Sequence, residues 1–338
     1  MKATTGENRV SRRSGIVPSR RSSKKVPVPR EIGIRTVLVP TDFSRASMQV
    51  VKWARFMAQG AGENVHLVHA HDLEYPLILP ISPPIVISEA DTQDRLRRDL
   101  TAVAIKYGIA DGGAHCHIRT GRAFNEICKV AEEIHADLIA TSTHGHTGWK
   151  RVFLGSTAER VVRHAPCPVL VVRRSKAAAA REPRLKKIVV PVDFSDCSRE
   201  ALMFAVKLAH DFDAKLLILH GTYDSHFKTN AYATDAEITL RNYLKRDAEK
   251  QMRRLVRETN FGGVAFKSAI KFGFPEEEIC DYAEKESADL ILMSSHGRTG
   301  LRHLFIGSTA EHIVRYAKGS VLVVPNRSLR ERLMRAAS

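Results

Sequence analysis

Short apolar runs alternate along this chain with longer stretches in which apolar residues return every three or four positions. Ile34-Arg35-Thr36-Val37-Leu38-Val39 is β-branched and predicts a buried strand. Pro40-Thr41-Asp42-Phe43-Ser44 ends it, and Ser44 is placed to cap a helix with the apolar stripe Ala46, Val50, Ala54, Met57 and Ala58. Gly60 and Gly62 break that helix, and Val65–Ala70 is a second strand. A helix over 91–107, a strand over His115–Arg119 and, after Gly121, a helix over 123–134 follow. Asp137–Thr141 is a fourth strand and 157–164 a fourth helix. Pro166 and Pro168 then introduce a fifth strand, Val169–Val172. Strands that are apolar throughout and alternate with helices imply a parallel sheet covered on both faces.

The same order then restarts. Lys187–Ser195 repeats Thr36–Ser44 at an offset of 151, and Val321–Val324 is the last strand. Pro275 sits in the first turn of the helix that matches 123–134. The strongest repeat is a loop: residues 142–159 return as 294–311, and 11 of the 20 residues from 143 to 162 match those from 295 to 314. The expected fold is α/β, with two repeated open parallel five-stranded sheets, over residues 34–173 and 185–325. Residues 174–184, rich in alanine and basic residues, read as a linker. One segment has no counterpart. Residues 73–90 hold the apolar run Leu77–Ile87, with three prolines that exclude a helix through its middle. A connection of that length reads as a lid or a partner surface.

The net charge of +16 points at first to nucleic acid, until it is mapped. The leader 1–33 carries +7, the linker +3 and the tail 326–338 +3, while the two expected bodies carry only +2 and +1. Specific nucleic-acid binding is therefore not expected, and the leader reads as a disordered basic segment. The five cysteines form no C-x-x-C pair, which excludes a disulfide framework and implies a reducing compartment. Cys128 and Cys280 are repeat equivalents on helices and read as buried small hydrophobes. With no apolar run of ~18 residues and no secretory signal, a cytoplasmic protein without a membrane span is expected.

Candidate chemistry gathers at one edge. Ser156-Thr157-Ala158-Glu159 and Ser308-Thr309-Ala310-Glu311 read as capping boxes. Capping alone does not call for Gly145, Gly148 and Gly155, or for Gly297, Gly300 and Gly307. Glycine supplies positive φ or lets backbone approach a ligand closely, and a helix start after such a loop presents N–H groups to phosphate. The loop follows the fourth strand and Pro40-Thr41-Asp42 the first, so both lie at the carboxyl edge where parallel sheets bind ligands. Asp42 and Asp193 are either strand-end turn residues or acceptors for a ribose hydroxyl or base. His144 and His296 flank the first loop glycine without a recognisable catalytic partner. His66, His69 and His71, and the pair His115 and His117, have the alternating spacing that places side chains on one strand face. Only His220 recurs among them in the second half, so no metal site is expected. G-x-x-x-x-G-K-[ST], G-x-G-x-x-G after a first strand and G-x-S-x-G are all absent.

These residues resemble the universal stress protein family in its tandem form. The resemblance rests on Pro40–Ser44 and Pro191–Ser195, on the loops, and on the closing run Ala165-Pro166-Cys167-Pro168-Val169. It implies a Rossmann-like sheet of the adenine nucleotide alpha hydrolase type and binding of ATP, with or without Mg²⁺. The ATP-binding pattern G-x2-G-x9-G-[ST] is met at Gly145, Gly155-Ser156 and at Gly297, Gly307-Ser308, but Ser142 and Ser294 stand at its first glycine. The resemblance places Asp42 and Asp193, with Pro40, Thr41, Pro191 and Val192, at the nucleoside. It places Ala70 and Gly221 near adenine, and Thr157 and Thr309 at the phosphate-side helix start. It also implies pairing of the fifth strands within one chain, with a homodimer as an additional arrangement. The function expected is a stress-response sensor or regulator that binds an adenine nucleotide in one or both halves. A slow ATPase or phosphotransferase, and a nucleotide-independent scaffold or lipid-binding protein, are the alternatives.

Overall fold

The structure is a computed structural model and describes residues 33–59, 64–71, 89–109, 113–143, 155–173, 182–223, 235–297 and 306–325. The leader before 33, the tail after 325, the apolar run 77–87, most of the linker, Gly60, Gly62, His144, Gly145, Gly148 and Gly300 lie outside these residues.

In the first half β1 (Val37–Pro40), α1 (Arg45–Met57), β2 (Val65–His71), α2 (Glu89–Lys106), β3 (Cys116–Thr120), α3 (Ala123–Glu133), β4 (Leu138–Ser142), α4 (Ser156–His164) and β5 (Val169–Val172) follow one another. The second half repeats them as β6 (Lys187–Pro191), α5 (Asp196–Asp211), β7 (Lys215–Tyr223), α6 (Asp235–Glu258), β8 (Phe266–Gly273), α7 (Pro275–Lys285), β9 (Leu290–Ser294), α8 (Ser308–Tyr316) and β10 (Ser320–Val324). The strands form a single ten-stranded sheet in the order β3-β2-β1-β4-β5-β10-β9-β6-β7-β8. Within each half every pair is parallel. At the seam β5 and β10 run antiparallel, with Leu170 opposite Leu322. The carboxyl edges of the two half-sheets therefore face opposite ways.

The continuous apolar runs are explained by two cores. Val37 and Val39 turn toward one face, covered by α1, α2, α5 and α6. Leu38 turns toward the other, covered by α3, α4, α7 and α8. A strand buried on both faces has no polar side to alternate with. The seam is packed from both faces: the Phe56 and Phe212 rings lie 4.9 Å apart, and Arg173 donates to the Val314 carbonyl. Among the described residues no helix is long and apolar enough to cross a membrane.

Helix ends were only partly legible. Ser44 caps α1 as expected, its Oγ accepting from the Ser47 N–H. The chain leaves α1 through Gln59, at φ 57°, and leaves α5 through Asp213, at φ 49°. A left-handed residue closes both helices before any glycine is reached. Replacing Ser44 by alanine removes the cap and should lower stability by about 1 kcal/mol, read as a drop in the urea midpoint at constant slope.

Candidate functional site

The carboxyl edge is built the same way in both halves. The Thr41 N–H donates to the Val68 carbonyl at 2.9 Å, and the Val192 N–H to the Leu219 carbonyl at 2.8 Å. These bonds extend the ladder one residue past Pro40 and Pro191, which end β1 and β6. Thr41 and Val192 are buried. The Thr41 hydroxyl is taken up by Ser47 and the Phe43 N–H, so these two residues shape the edge through their backbone.

His69 and His220 fix the next residues. Their Nδ1 atoms sit 2.8 Å from the Thr41 carbonyl and 2.7 Å from the Val192 carbonyl, so Nδ1 carries the hydrogen in both rings. The Phe43 ring packs tilted against His69 at 4.7 Å and the Phe194 ring against His220 at 4.3 Å. These phenylalanines take φ of 62° and 67°. That conformation costs a bulky side chain on the order of 1 kcal/mol and persists only where surroundings hold it. The strained turn projects Asp42 and Asp193 at the edge. Asp42 Oδ1 accepts from the Ser44 N–H at 3.0 Å. Asp193 Oδ1 accepts from the Ser195 N–H at 3.0 Å and the Ser195 hydroxyl at 2.5 Å. The sequence showed the histidine and Asp-Phe-Ser in both copies, but not that one ring braces the other.

The loop after the fourth strand starts and closes at fixed points. The Gly155 N–H donates to the Thr143 carbonyl and the Gly307 N–H to the Ser295 carbonyl, both at 2.9 Å. The capping-box expectation is corrected here. Gly155 and Gly307 are the N-caps, Ser156 and Ser308 are the first helical residues, and neither cap has a side-chain hydrogen bond. The helices start one residue earlier than the motif places them, and the Glu159 and Glu311 N–H groups donate to the Gly155 and Gly307 carbonyls rather than to the serine hydroxyls. Ser156, Thr157 and Ser308 are exposed and Thr309 half-buried, so each helix opens its first-turn N–H groups to the edge.

Each glycine has its own reason. A Cβ on Gly297 would lie 2.6 Å from Asp193 Oδ2, which places this loop residue directly against the strand-end carboxylate. A Cβ on Gly221 would meet Pro275 at 3.0 Å, so α7 packing demands that glycine. Ala123 takes the place of Pro275 in the first half, where position 70 carries a methyl. Gly155 and Gly307 have φ of −59° and −58°, so neither supplies a left-handed conformation. At Gly307 a Cβ would sit 3.6 Å from the Ser295 carbonyl oxygen, the nearest atom among the described residues and an ordinary contact. Ser294 donates its hydroxyl to the His296 carbonyl at 2.7 Å, a local bond that shapes the loop. His296 Nδ1 lies 2.8 Å from the Ser295 hydroxyl. Ser142 ends β4 opposite Val172.

The other histidines divide between two faces. His69 and His71 share one, with rings 6.3 Å apart. His66 lies three residues before His69 and takes the opposite face, a parity that its grouping with His69 and His71 overlooked. There its Nδ1 is 3.1 Å from His117 Nε2, and its ring 4.4 Å from that of His115. Burial, then His115 and His117, push the His66 pKa down to about 4. Burial, then Arg119, lowers that of His117. Among the described residues no group of three or more His, Cys, Asp or Glu is arranged to hold a metal ion. Cys128 and Cys280 are half-buried, and burial is the main reason both thiols are pushed up to about 11, away from nucleophilic chemistry.

Known proteins carry the same plan. The universal stress protein family matches residues 33–173 and again 184–325. A universal stress protein of Methanocaldococcus jannaschii is 34% identical over 139 residues, covering 41% of this chain and 81% of its own. One from Mycobacterium tuberculosis strain H37Rv is 24% identical over 294 residues, covering 85% of this chain and 95% of its own. Among solved structures, a universal stress protein from Archaeoglobus fulgidus DSM 4304 shares the fold, with TM-score 0.57 and 20% identity over 87% of this chain and 99% of that one. Its two matches span most of the sequence, and the chain belongs to the universal stress protein family.

Proposed function

We propose that the protein binds ATP or a related adenine nucleotide in one or both halves and acts as a stress-response sensor or regulator. The observation that carries this reading is Gly307. Neither its backbone angles nor a steric contact among the described residues calls for glycine there. A bare backbone at the start of a nine-residue helix suits close approach of phosphate. Asp193, beside Gly297 on the same edge, is placed to accept from a ribose hydroxyl. In the first half Gly155 and Asp42 take these roles. Asp42 and Asp193 are already engaged by the turns they belong to, which favours binding and orientation over proton transfer.

On this reading 34–173 and 185–325 are domains joined by the linker 174–184, their fifth strands pair within the chain, and the protein works in the cytoplasm. The nucleotide is bound with or without Mg²⁺, and among the described residues no group of three or more His, Cys, Asp or Glu side chains is arranged to hold the ion itself. The test is to purify the full chain, denature it and measure released nucleotide in moles per chain, then to titrate the stripped protein with ATP and Mg²⁺. Release or uptake of one or two moles is expected, reduced by one in Gly307→Val when the second site is filled. A chain that neither retains nor takes up adenine nucleotide overturns the proposal.

A further inference from the structure

The helices that open toward the two proposed phosphate positions also meet each other at the seam. The Glu159 N–H donates to the Gly155 carbonyl and the Glu311 N–H to the Gly307 carbonyl, both at 2.9 Å. Each glutamate is thus one hydrogen bond from its loop glycine. Their side chains close a ring with two arginines. Within each helix, Arg163 Nη2 lies 2.7 Å from Glu159 Oε1 and Arg315 Nη2 3.2 Å from Glu311 Oε1. Across the seam, Arg163 Nη2 lies 3.6 Å from Glu311 Oε2 and Arg315 Nη2 3.6 Å from Glu159 Oε2. The four side chains are 23% to 33% exposed.

Charge alternates around this ring, so it has two complete pairings. In one, each arginine holds the glutamate of its own helix, the arrangement with the shorter legs here. In the other, the arginines exchange partners across the seam. One exchange forces the other, because a glutamate that loses its arginine is left beside the one just released. Among the described residues the Nε atoms of Arg163 and Arg315 are buried without a partner, so the present pairing leaves both guanidinium groups with a donor to spare.

We infer that this ring couples the two proposed nucleotide sites, and that the coupling is positive. The inference rests on the nucleotide reading above. A phosphate at the start of α4 acts on Glu159 through charge and through the Gly155 backbone, and so favours one of the two pairings. A phosphate at the start of α8 acts in the same way on Glu311. Both pairings are symmetric under exchange of the halves, so the two ligands favour the same one. The first ligand then makes the shift that the second would otherwise have to make. The sign follows from the repeat, whichever pairing the ligand prefers. Partial solvent exposure of the ion pairs limits the size, and a coupling of about three- to tenfold in affinity is expected.

The test uses the full chain stripped of nucleotide. Native mass spectrometry across an ATP–Mg²⁺ titration gives the populations with zero, one and two nucleotides. Positive coupling depletes the singly loaded species below the value for two independent sites with the same overall constants. Glu311→Gln breaks the exchange and should restore the singly loaded species while both sites still fill. Isothermal titration supplies a second reading: the second site in the intact chain should bind about three- to tenfold tighter than in Gly155→Val, whose first site is disabled. Two sites that fill independently in the parent chain, or a coupling unchanged in Glu311→Gln, overturn the inference and leave nucleotide binding standing. Absence of any bound ATP removes the functional reading and this inference together.

Discussion

Gly297→Ala should destabilise the protein by about 1–3 kcal/mol and, on the proposed reading, weaken nucleotide binding in the second half, although it adds a single methyl group. The added carbon would sit 2.6 Å from Asp193 Oδ2. That carboxylate cannot simply swing away. Its other oxygen is held by the Ser195 N–H at 3.0 Å and the Ser195 hydroxyl at 2.5 Å, and the Ser195 hydroxyl oxygen in turn caps α5. Moving Asp193 therefore disturbs the strained turn at Phe194 and the helix start together. The informative partner is Gly307→Ala, where the methyl meets nothing closer than 3.6 Å among the described residues. Its stability should stay within about 1 kcal/mol of the parent, the effect of alanine at a helix N-cap, while ATP binding still weakens. Urea unfolding and ATP titration of the two variants separate the roles. A Gly297→Ala protein as stable as the parent would show that the loop does not rest on Asp193.

Acid should loosen the first half before the second. His66 takes up a proton near pH 6.5 when unfolded, whereas in the folded chain it resists until about pH 4. Between those values the unfolded state holds more protons, so stability is intact above pH 6.5 and falls as pH drops toward 4. Solvent reaches this half-buried cluster and screens the charge, so the loss from His66 is on the order of 1–2 kcal/mol. The lowered His117 adds to it in the same direction. Arg119 adds positive charge to the cluster, and its ion pair with Glu133 offsets part of it. In the second half the equivalent places hold Leu217 and Ala269, both buried in the core. Both tryptophans, Trp53 and Trp149, belong to the first repeat, so their fluorescence follows that half selectively. Unfolding curves at pH 7 and pH 4.5 should differ by more in tryptophan fluorescence than in far-ultraviolet dichroism. His66→Leu should flatten the dependence. An unfolding midpoint that ignores pH over this range contradicts the account.

The strands could be read from the chain because burial on both faces leaves continuous apolar runs, and Val169–Val172 was placed to the residue. Helix ends were harder. The exits at Gln59 and Asp213 depend on backbone angles that their side chains do not advertise, and the glycines at 60 and 62 drew attention instead. At the edge, the Asp42 and Asp193 turns and the glycine-led helix starts were legible from their repetition. What they touch was not. The distance from Gly297 to Asp193 joins residues about a hundred positions apart, and no local pattern encodes it. The capping box failed for a related reason: the glycine tied to the strand-end Thr143 carbonyl starts the helix one residue before the serine, so the Glu159 N–H that the serine hydroxyl would satisfy goes to the Gly155 carbonyl instead.

The antiparallel seam between β5 and β10 has a consequence for how the protein responds to dilution. An assembly of two separate halves would come apart as its concentration fell, exposing the valine- and leucine-rich edge that each had covered. Here both edges belong to one chain, and their encounter is intramolecular. The ratio of the halves is fixed at synthesis, and the join is as complete for a few molecules as for many. What the tether gives up is exchange of partners: one half cannot leave to pair with another.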